Sequence, residues 1–368
     1  NCNITVNFQV QYIIGISRCQ SFFYLFFILF SIEFDNNRCI IYKYYLLEGK
    51  IMLDKRKVVI IGAGHVGSHV AMALCFQGTC DEIVFIDIDR EKAIANCYDV
   101  ADACLFLGST TKIKVGDYED CRDADIIVNS IGMPRKPGQT RLDMLDDSIR
   151  MMKDVVENLK PIDFKGIFVS ITNPADVIAN YARLHLGLPR ERCFSTGTSL
   201  DTARLKRTVS ELADIDRRSV TTCAIGEHGD SSFVPFSTLT LGGKNYKELQ
   251  KAKPEKYGKL TEEFVLERTR YIGYDIINGK GSTEFGIGAA CADICKAIFH
   301  DEKRVIPASV LLQGEYGIDG VACGVPCVIG RNGIEDIIEL ELNDKEKEQM
   351  AHTCSVIKEY CERAEKVQ

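Results

Sequence analysis

Basic residues are in the minority in this chain: 45 Lys and Arg stand against 52 Asp and Glu, a net charge of −7. That deficit removes the electrostatic footprint on which nucleic-acid binding rests. Proline is scarce, nine in 368 residues, while 46% of residues are hydrophobic, which excludes wholesale disorder. Sixteen cysteines contain no C-x-x-C pair. Spread so thinly, they read as unpaired thiols of a reducing, cytoplasmic compartment, not as a disulfide framework. A membrane-spanning run is missing from the N-terminal region, where the apolar stretch Phe22 to Phe30 covers nine residues. A bilayer needs about 20. The positive flank and small-residue cleavage site of a signal peptide are missing too. Neither a nucleic acid nor a membrane is expected as a partner.

Aromatic residues are unevenly distributed. Residues 1–51 hold 12 of the 32 Phe and Tyr residues and show no steady period of 3.6 or 2. Leu47-Glu48-Gly49-Lys50-Ile51 stands directly before Met52. In codons, Leu-Glu-Gly accommodates a purine-rich ribosome-binding sequence at the usual distance from a start codon. Residues 1–51 are therefore expected to be a leader read through in frame, with the native start at Met52.

Beyond Lys57 the pattern becomes regular. Short apolar runs at Val58–Ile61, Ile83–Ile86, Ile126–Val128 and Ile167–Ile171 alternate with helical stretches. Such alternation indicates an α/β fold, a doubly wound parallel sheet of Rossmann type. Past Gly197 the order changes to a long helix, a strand-rich section around 217–241, more helix and strands near 304–342. Asn343 or Asp344 caps a charged C-terminal helix. The expected organisation is a nucleotide-binding domain over 52–197 and a C-terminal α+β substrate domain over 198–368.

Gly62-Ala63-Gly64-His65-Val66-Gly67 is a G-x-G-x-x-G string that follows a strand and opens a helix. In that context Gly62 makes the turn, Gly64 lets backbone approach a pyrophosphate, and Gly67 lets helix and strand pack closely. Asp87, twenty residues past Gly67 at the end of the next strand, suits the ribose hydroxyls of NAD and repels a 2′-phosphate. His65 and His69 have the i, i+4 spacing of a zinc pair, but no Glu follows the first, and no metal is expected.

Ile225-Gly226-Glu227-His228-Gly229-Asp230-Ser231 sets a histidine between glycines, as where a backbone approaches something closely. Leu200-Asp201-Thr202-Ala203-Arg204 places a carboxylate and a guanidinium on one helix face. Together with Arg135-Lys136-Pro137-Gly138-Gln139-Thr140-Arg141 and Thr172-Asn173-Pro174, in this order, the chain resembles the L-lactate/malate dehydrogenase family from Lys57 to about Val367.

The resemblance implies an NAD-dependent oxidoreductase acting on a small 2-oxo or 2-hydroxy acid, self-associated as a dimer or tetramer. It implies His228 as proton donor to the substrate carbonyl, Asp201 as its orienting partner, and Arg141 as the loop residue that polarises the carbonyl. Arg204 would clamp the substrate carboxylate, Asn173 would bond the substrate oxygen, Thr283 would line the pocket, and Val66 and Ile287 would line the cofactor site. Arg135 occupies the position that reads the substrate's far end. A cation there suits the second carboxylate of oxaloacetate and fits the methyl of pyruvate poorly. Glu227 and Thr283 are lactate-like. The balance leads to L-lactate dehydrogenase, with malate dehydrogenase as the alternative. Lys206 and Thr221 stand where relatives activated by a sugar bisphosphate carry an arginine and a histidine, so weak or no such activation is expected.

Overall fold

The computed structural model describes residues 15–19, 22–35, 38–47, 50–52, 55–133 and 141–367. They fall into two compact units, Asn1–Lys55 and Arg56–Gln368. In the first, β1 (Gly15–Cys19), β2 (Phe22–Asp35), β3 (Arg38–Leu47) and β4 (Lys50–Met52) form an antiparallel sheet in that order. The sequence shows no strand period there. Its density of aromatic and β-branched residues favours extended backbone without one.

The second unit is built on a nine-stranded sheet of order β16-β15-β14-β10-β9-β8-β5-β6-β7. Its parallel part comprises β5 (Lys57–Ile61), β6 (Glu82–Ile86), β7 (Lys112–Val115), β8 (Ile126–Asn129), β9 (Ile167–Ser170) and β10 (Cys193–Ser195). Read from β7 to β10, this is the 3-2-1-4-5-6 order of a doubly wound dinucleotide fold, whose ligand crevice opens where the order reverses, between β5 and β8. Helices α1 (His65–Gln77), α2 (Arg90–Leu107), α3 (Arg141–Leu159) and α4 (Ala175–Leu186) connect these strands. The continuous apolar runs are explained by burial on both faces. Val58 and Ile60 pack with Val70, Leu74 and Phe85 on one side, while Val59 and Ile61 pack with Ile149, Met152 and Ile178 on the other.

After α5 (Ser199–Ala213), the section read as strand-rich contains only two-residue strands. These are β11 (Val220–Thr221) and β12 (Thr240–Leu241), with 3₁₀ turns at Arg217–Ser219 and Phe236–Thr238; β13 (Lys244–Asn245), equally short, follows. The expectation of regular strands over 217–241 is therefore corrected. Glycines and Pro235 interrupt any ladder, and side chains satisfy the backbone instead. Then come α6 (Tyr246–Ala252), α7 (Pro254–Tyr257), α8 (Glu262–Lys280) and α9 (Phe285–Phe299).

The strands β14 (Arg304–Gln313), β15 (Asp319–Gly330) and β16 (Gly333–Ile337) extend the parallel sheet in antiparallel fashion, β14 pairing with β10 at Ser195 and Ser309. One hydrogen-bonded sheet thus runs through both halves of this unit. The chain closes with α10 (Asp344–Ala364), started by a capping box between Asn343 and Glu346. Glu346 also accepts from the Ser237 backbone N–H at 3.0 Å, tying the helix start to the irregular section. Among the described residues no helix is long and apolar enough to cross a membrane.

Candidate active site

Strand β5 is followed directly by Gly62, whose backbone turns at φ +97°, a conformation that favours glycine. A side chain there would lie 2.6 Å from the Ser130 carbonyl oxygen, and one at Gly67 would lie 2.0 Å from the Gly62 carbonyl oxygen. The turn therefore exists only with glycine at both positions. Gly64 caps α1 with no side-chain hydrogen bond, and the first turn carries no acid, so the leading N–H groups are left for an anionic ligand. Asp87 Oδ2 accepts from the Ala63 N–H at 2.7 Å and Oδ1 from the Asp89 N–H at 2.9 Å, which fixes this carboxylate beside the glycine turn. Val66 and Ile287, the latter on α9, pack against the same apolar cluster. These features fit a dinucleotide: an uncapped helix start for its phosphates and an anchored acid for a ribose.

The second group of residues surrounds the loop 226–231. Thr198, at the N-cap of α5, and Thr202 within it are buried and bind its root: Thr198 Oγ1 donates to the Ala224 carbonyl at 2.6 Å, and Thr202 Oγ1 accepts from the Ala224 N–H at 3.0 Å. Gly226 exchanges backbone hydrogen bonds of 2.9 Å with Gly324 on β15. The Glu227 N–H donates to Thr353 Oγ1 on α10 at 2.8 Å, and Glu227 Oε2 accepts from the Ser231 N–H at 3.1 Å. His228 projects from this braced loop, and its backbone N–H donates to Asp176 Oδ2 on α4 at 2.8 Å.

The His228 ring meets Asp201 at 2.7 Å, Nδ1 to Oδ2. Among the described residues nothing hydrogen-bonds Nε2. With Nδ1–H donated to the carboxylate, Nε2 is the nitrogen left to exchange a proton with a ligand. Arg204 Nη1 approaches the other Asp201 oxygen, Oδ1, at 3.4 Å, and its Nη2 donates to Thr283 Oγ1 at 3.3 Å. One carboxylate thus orients both an imidazole and a guanidinium. Their side chains are 17–23% exposed, sheltered but open to a small ligand.

The charges tune one another. Burial opposes protonation of His228, but Asp201, with Asp176 behind it, outweighs burial and raises the imidazole above its ordinary pKa. Burial likewise opposes ionisation of Asp201, and the facing His228 and Arg204 hold it below the usual carboxylate range nonetheless. The arrangement is an ionised acid beside an imidazole that stays protonated to higher pH than a free one.

Asn173 is exposed in the turn between β9 and α4, ahead of Pro174, and its backbone carbonyl accepts from Ser148 Oγ at 2.8 Å. Arg141 opens α3, and its side chain lies outside the described part of the structure, as does Arg135 altogether. Two groups went unread in the sequence. Asp176 and Thr353 carry no motif, and they reach the site only because α4 and α10 pack beside the loop. The histidines His65 and His69 stack one turn apart on α1: His69 Nδ1 lies 2.5 Å from the His65 carbonyl oxygen and its ring packs edge-on against Phe285.

Comparison with known proteins matches residues 56–195 to the lactate/malate dehydrogenase NAD-binding domain and residues 198–368 to the α/β C-terminal domain of the same family. An L-lactate dehydrogenase of Fusobacterium nucleatum is 44% identical over 312 residues, covering 84% of this chain and 98% of that protein. A lactate dehydrogenase from a Medee basin deep-sea metagenome library superposes with TM-score 0.81 at 37% identity, over 85% of this chain and 100% of that one. The Cryptosporidium parvum malate dehydrogenase gives TM-score 0.79 at 28% identity, over 85% and 99%. The mixed α/β architecture, the glycine turn and the His228 cluster therefore have one common setting: the chain belongs to the lactate/malate dehydrogenase family.

Proposed function

We propose that the protein is an NAD-dependent L-lactate dehydrogenase, interconverting pyruvate and L-lactate. The observation that carries this reading is the single carboxylate of Asp201 shared by His228 and Arg204. It couples a proton donor to a carboxylate-binding fork, the two groups a 2-oxo acid requires. The identity to lactate dehydrogenases supports the choice of acid.

Gly62, Gly64, Val66, Gly67, Asp87 and Ile287 would hold NAD, which supplies the hydride chemistry when bound. The remaining work falls to side chains. Arg204 offers a planar fork to the substrate carboxylate, a geometry that lysine lacks. Asn173 and Arg141 address the carbonyl oxygen, where negative charge develops during reduction. His228 delivers a proton to that oxygen from Nε2 and takes it back in the reverse direction. Asp201 holds the tautomer and stabilises the charged imidazole, as in other His–carboxylate pairs. Thr283 fixes the second arm of Arg204. In this reading residues 52–197 hold most of the cofactor contacts and lend Arg135, Arg141 and Asn173 to the substrate, 198–368 supply His228, Asp201, Arg204 and Thr283, and no step uses residues 1–51.

The pH dependence follows from the sign of the His228 shift. Reduction needs the imidazolium, so kcat/KM for pyruvate holds on the acid side and falls as pH rises through a midpoint above the ordinary histidine value. Asp201→Asn removes the main force raising that midpoint and leaves burial in command. The descending limb should move down by about one unit or more, with an approximately 100-fold lower kcat/KM at pH 7.5. An unmoved limb in a pH–rate profile would count against the pairing.

The malate reading rests on one residue, Arg135. Steady-state assays with NADH compare pyruvate and oxaloacetate in the wild type and in Arg135→Gln. Removing the cation should shift the ratio of kcat/KM toward pyruvate by about tenfold or more, the scale of one unpaired charge in a closed site. An unchanged ratio would deny Arg135 a role in selection.

Self-association is part of the same proposal. Leu105 and Phe106 on α2 are 79% and 86% exposed, and α8 presents Phe264, Tyr271, Tyr274 and Ile277 on an outer face. Large apolar residues at helical spacing, exposed together, mark a face that another protein surface covers. The thirteen cysteines between Arg56 and Gln368 are all free, twelve of them buried, which suits a reducing cytoplasm.

A further inference from the structure

We infer that Asp176 is a positioning residue of the acid–base site, fixing His228 from below through its backbone N–H while Asp201 holds the ring. The inference rests on the acid–base role proposed for His228.

Asp176 sits in the first turn of α4, where an acid ordinarily serves the helix dipole from solvent. This one does not. It is 2% exposed, and its Oδ2 is spent on a loop 52 residues away, on the His228 N–H at 2.8 Å. Its Oδ1 is buried with no hydrogen-bond partner among the described residues, and the same holds for Ser309 Oγ on β14. An ionisable group left half-paired in the interior is costly, and apolar packing would replace it were it only filling space.

The groups facing Asp176 come from several elements. They are His228 and Glu227 on the loop, Ser309 on β14, Cys323 on β15 and Cys361 on α10. Burial pushes its carboxyl up to about 6, the His228 N–H and ring act against burial, and Glu227 acts with it. Both thiols are themselves raised and stay neutral. Of these neighbours only His228 carries positive charge. Once Asp176 has ionised, the protonated ring therefore lies between two carboxylates, Asp201 at Nδ1 and Asp176 beneath the backbone. Both favour the charged ring.

The test is a ¹⁵N-histidine NMR titration of the full chain, comparing wild type with Asp176→Asn and Asp176→Ala. Asn keeps an oxygen for the His228 N–H and removes the charge. Its His228 midpoint should fall by about one unit, with a melting temperature at pH 8 equal to or above that of the wild type. At pH 8, kcat for pyruvate reduction should drop about tenfold, recovering at pH 5.5, with KM held within about twofold. The Ala variant, which leaves the N–H unpaired, should not recover at pH 5.5. A midpoint unchanged to within about 0.2 units in folded Asp176→Asn would overturn the inference. Should that variant not fold, the wild type decides: its His228 resonance must carry a second inflection near pH 6, where Asp176 titrates. A single inflection overturns the inference as well. The NMR midpoint requires no turnover, so it survives failure of the lactate reading, and the pyruvate assay survives failure of this one.

Discussion

His228→Asn should lower kcat/KM for pyruvate reduction by about 1,000-fold, within the range seen when a positioned acid is lost. The loss should fall on kcat. NADH affinity, followed by its fluorescence, should stay within about twofold, because the glycine turn is built from a different part of the chain. The substitution keeps a polar group facing Asp201 and leaves the loop's braces at Gly226, Glu227 and Ser231 intact. What disappears is the ring nitrogen Nε2, which has no protein partner among the described residues and is free to hand over a proton. Retention of more than a tenth of wild-type kcat would exclude His228 as the acid.

Arg204→Lys should be nearly as severe, with kcat/KM for pyruvate down by about 100- to 1,000-fold, but with a different kinetic signature. Here KM should carry most of the change. Lysine preserves the charge and loses the fork: one arm of Arg204 is turned toward Asp201 and the other toward Thr283, a planar pose that a single ammonium cannot reproduce. A carboxylate held by one point contact in place of two parallel ones also swings, so some loss in kcat follows from misaligned substrate. Steady-state kinetics on both variants, read as separate kcat and KM effects, distinguish the proton donor from the clamp. A lysine variant within about fivefold of wild type would remove Arg204 from the substrate site.

How much of this was open to reading in the chain depended on range. The cofactor turn was legible because its parts are contiguous: Gly62, Gly64 and Gly67 follow a strand and open a helix, even though the Ser130 backbone that leaves no room for a side chain at Gly62 lies far along the chain. The pairing of His228 with Asp201, 27 residues apart, came from resemblance to a family; spacing alone left an ordinary helical ion pair open. Asp176 was unreadable. An acid in a first helical turn looks like a dipole partner, and only the docking of α4 under a distant loop makes it something else. Thr353 lies 126 residues from the loop it braces and has no distinguishing neighbours. The section 217–241 misled for the opposite reason. Its apolar residues are genuine core, but they are held by side-chain bonds from α5 and α10, so apolar content there did not mean strand.

The pairing of β10 with β14 makes the enzyme modular in sequence but not in its hydrogen bonding. Family profiles part the chain between 195 and 198, yet the backbone groups of Ser195 on one side and Ser309 on the other complete each other. Cutting there would create two raw sheet edges, each a template for the next exposed strand it met. Cys223, Ile225 and Val310 would be stripped of the Val58, Ile60 and Phe194 side of their shared apolar cluster. Separately expressed halves would therefore go toward aggregation, and any gene fusion or exchange of halves between relatives would have to carry a matched edge along with the catalytic residues.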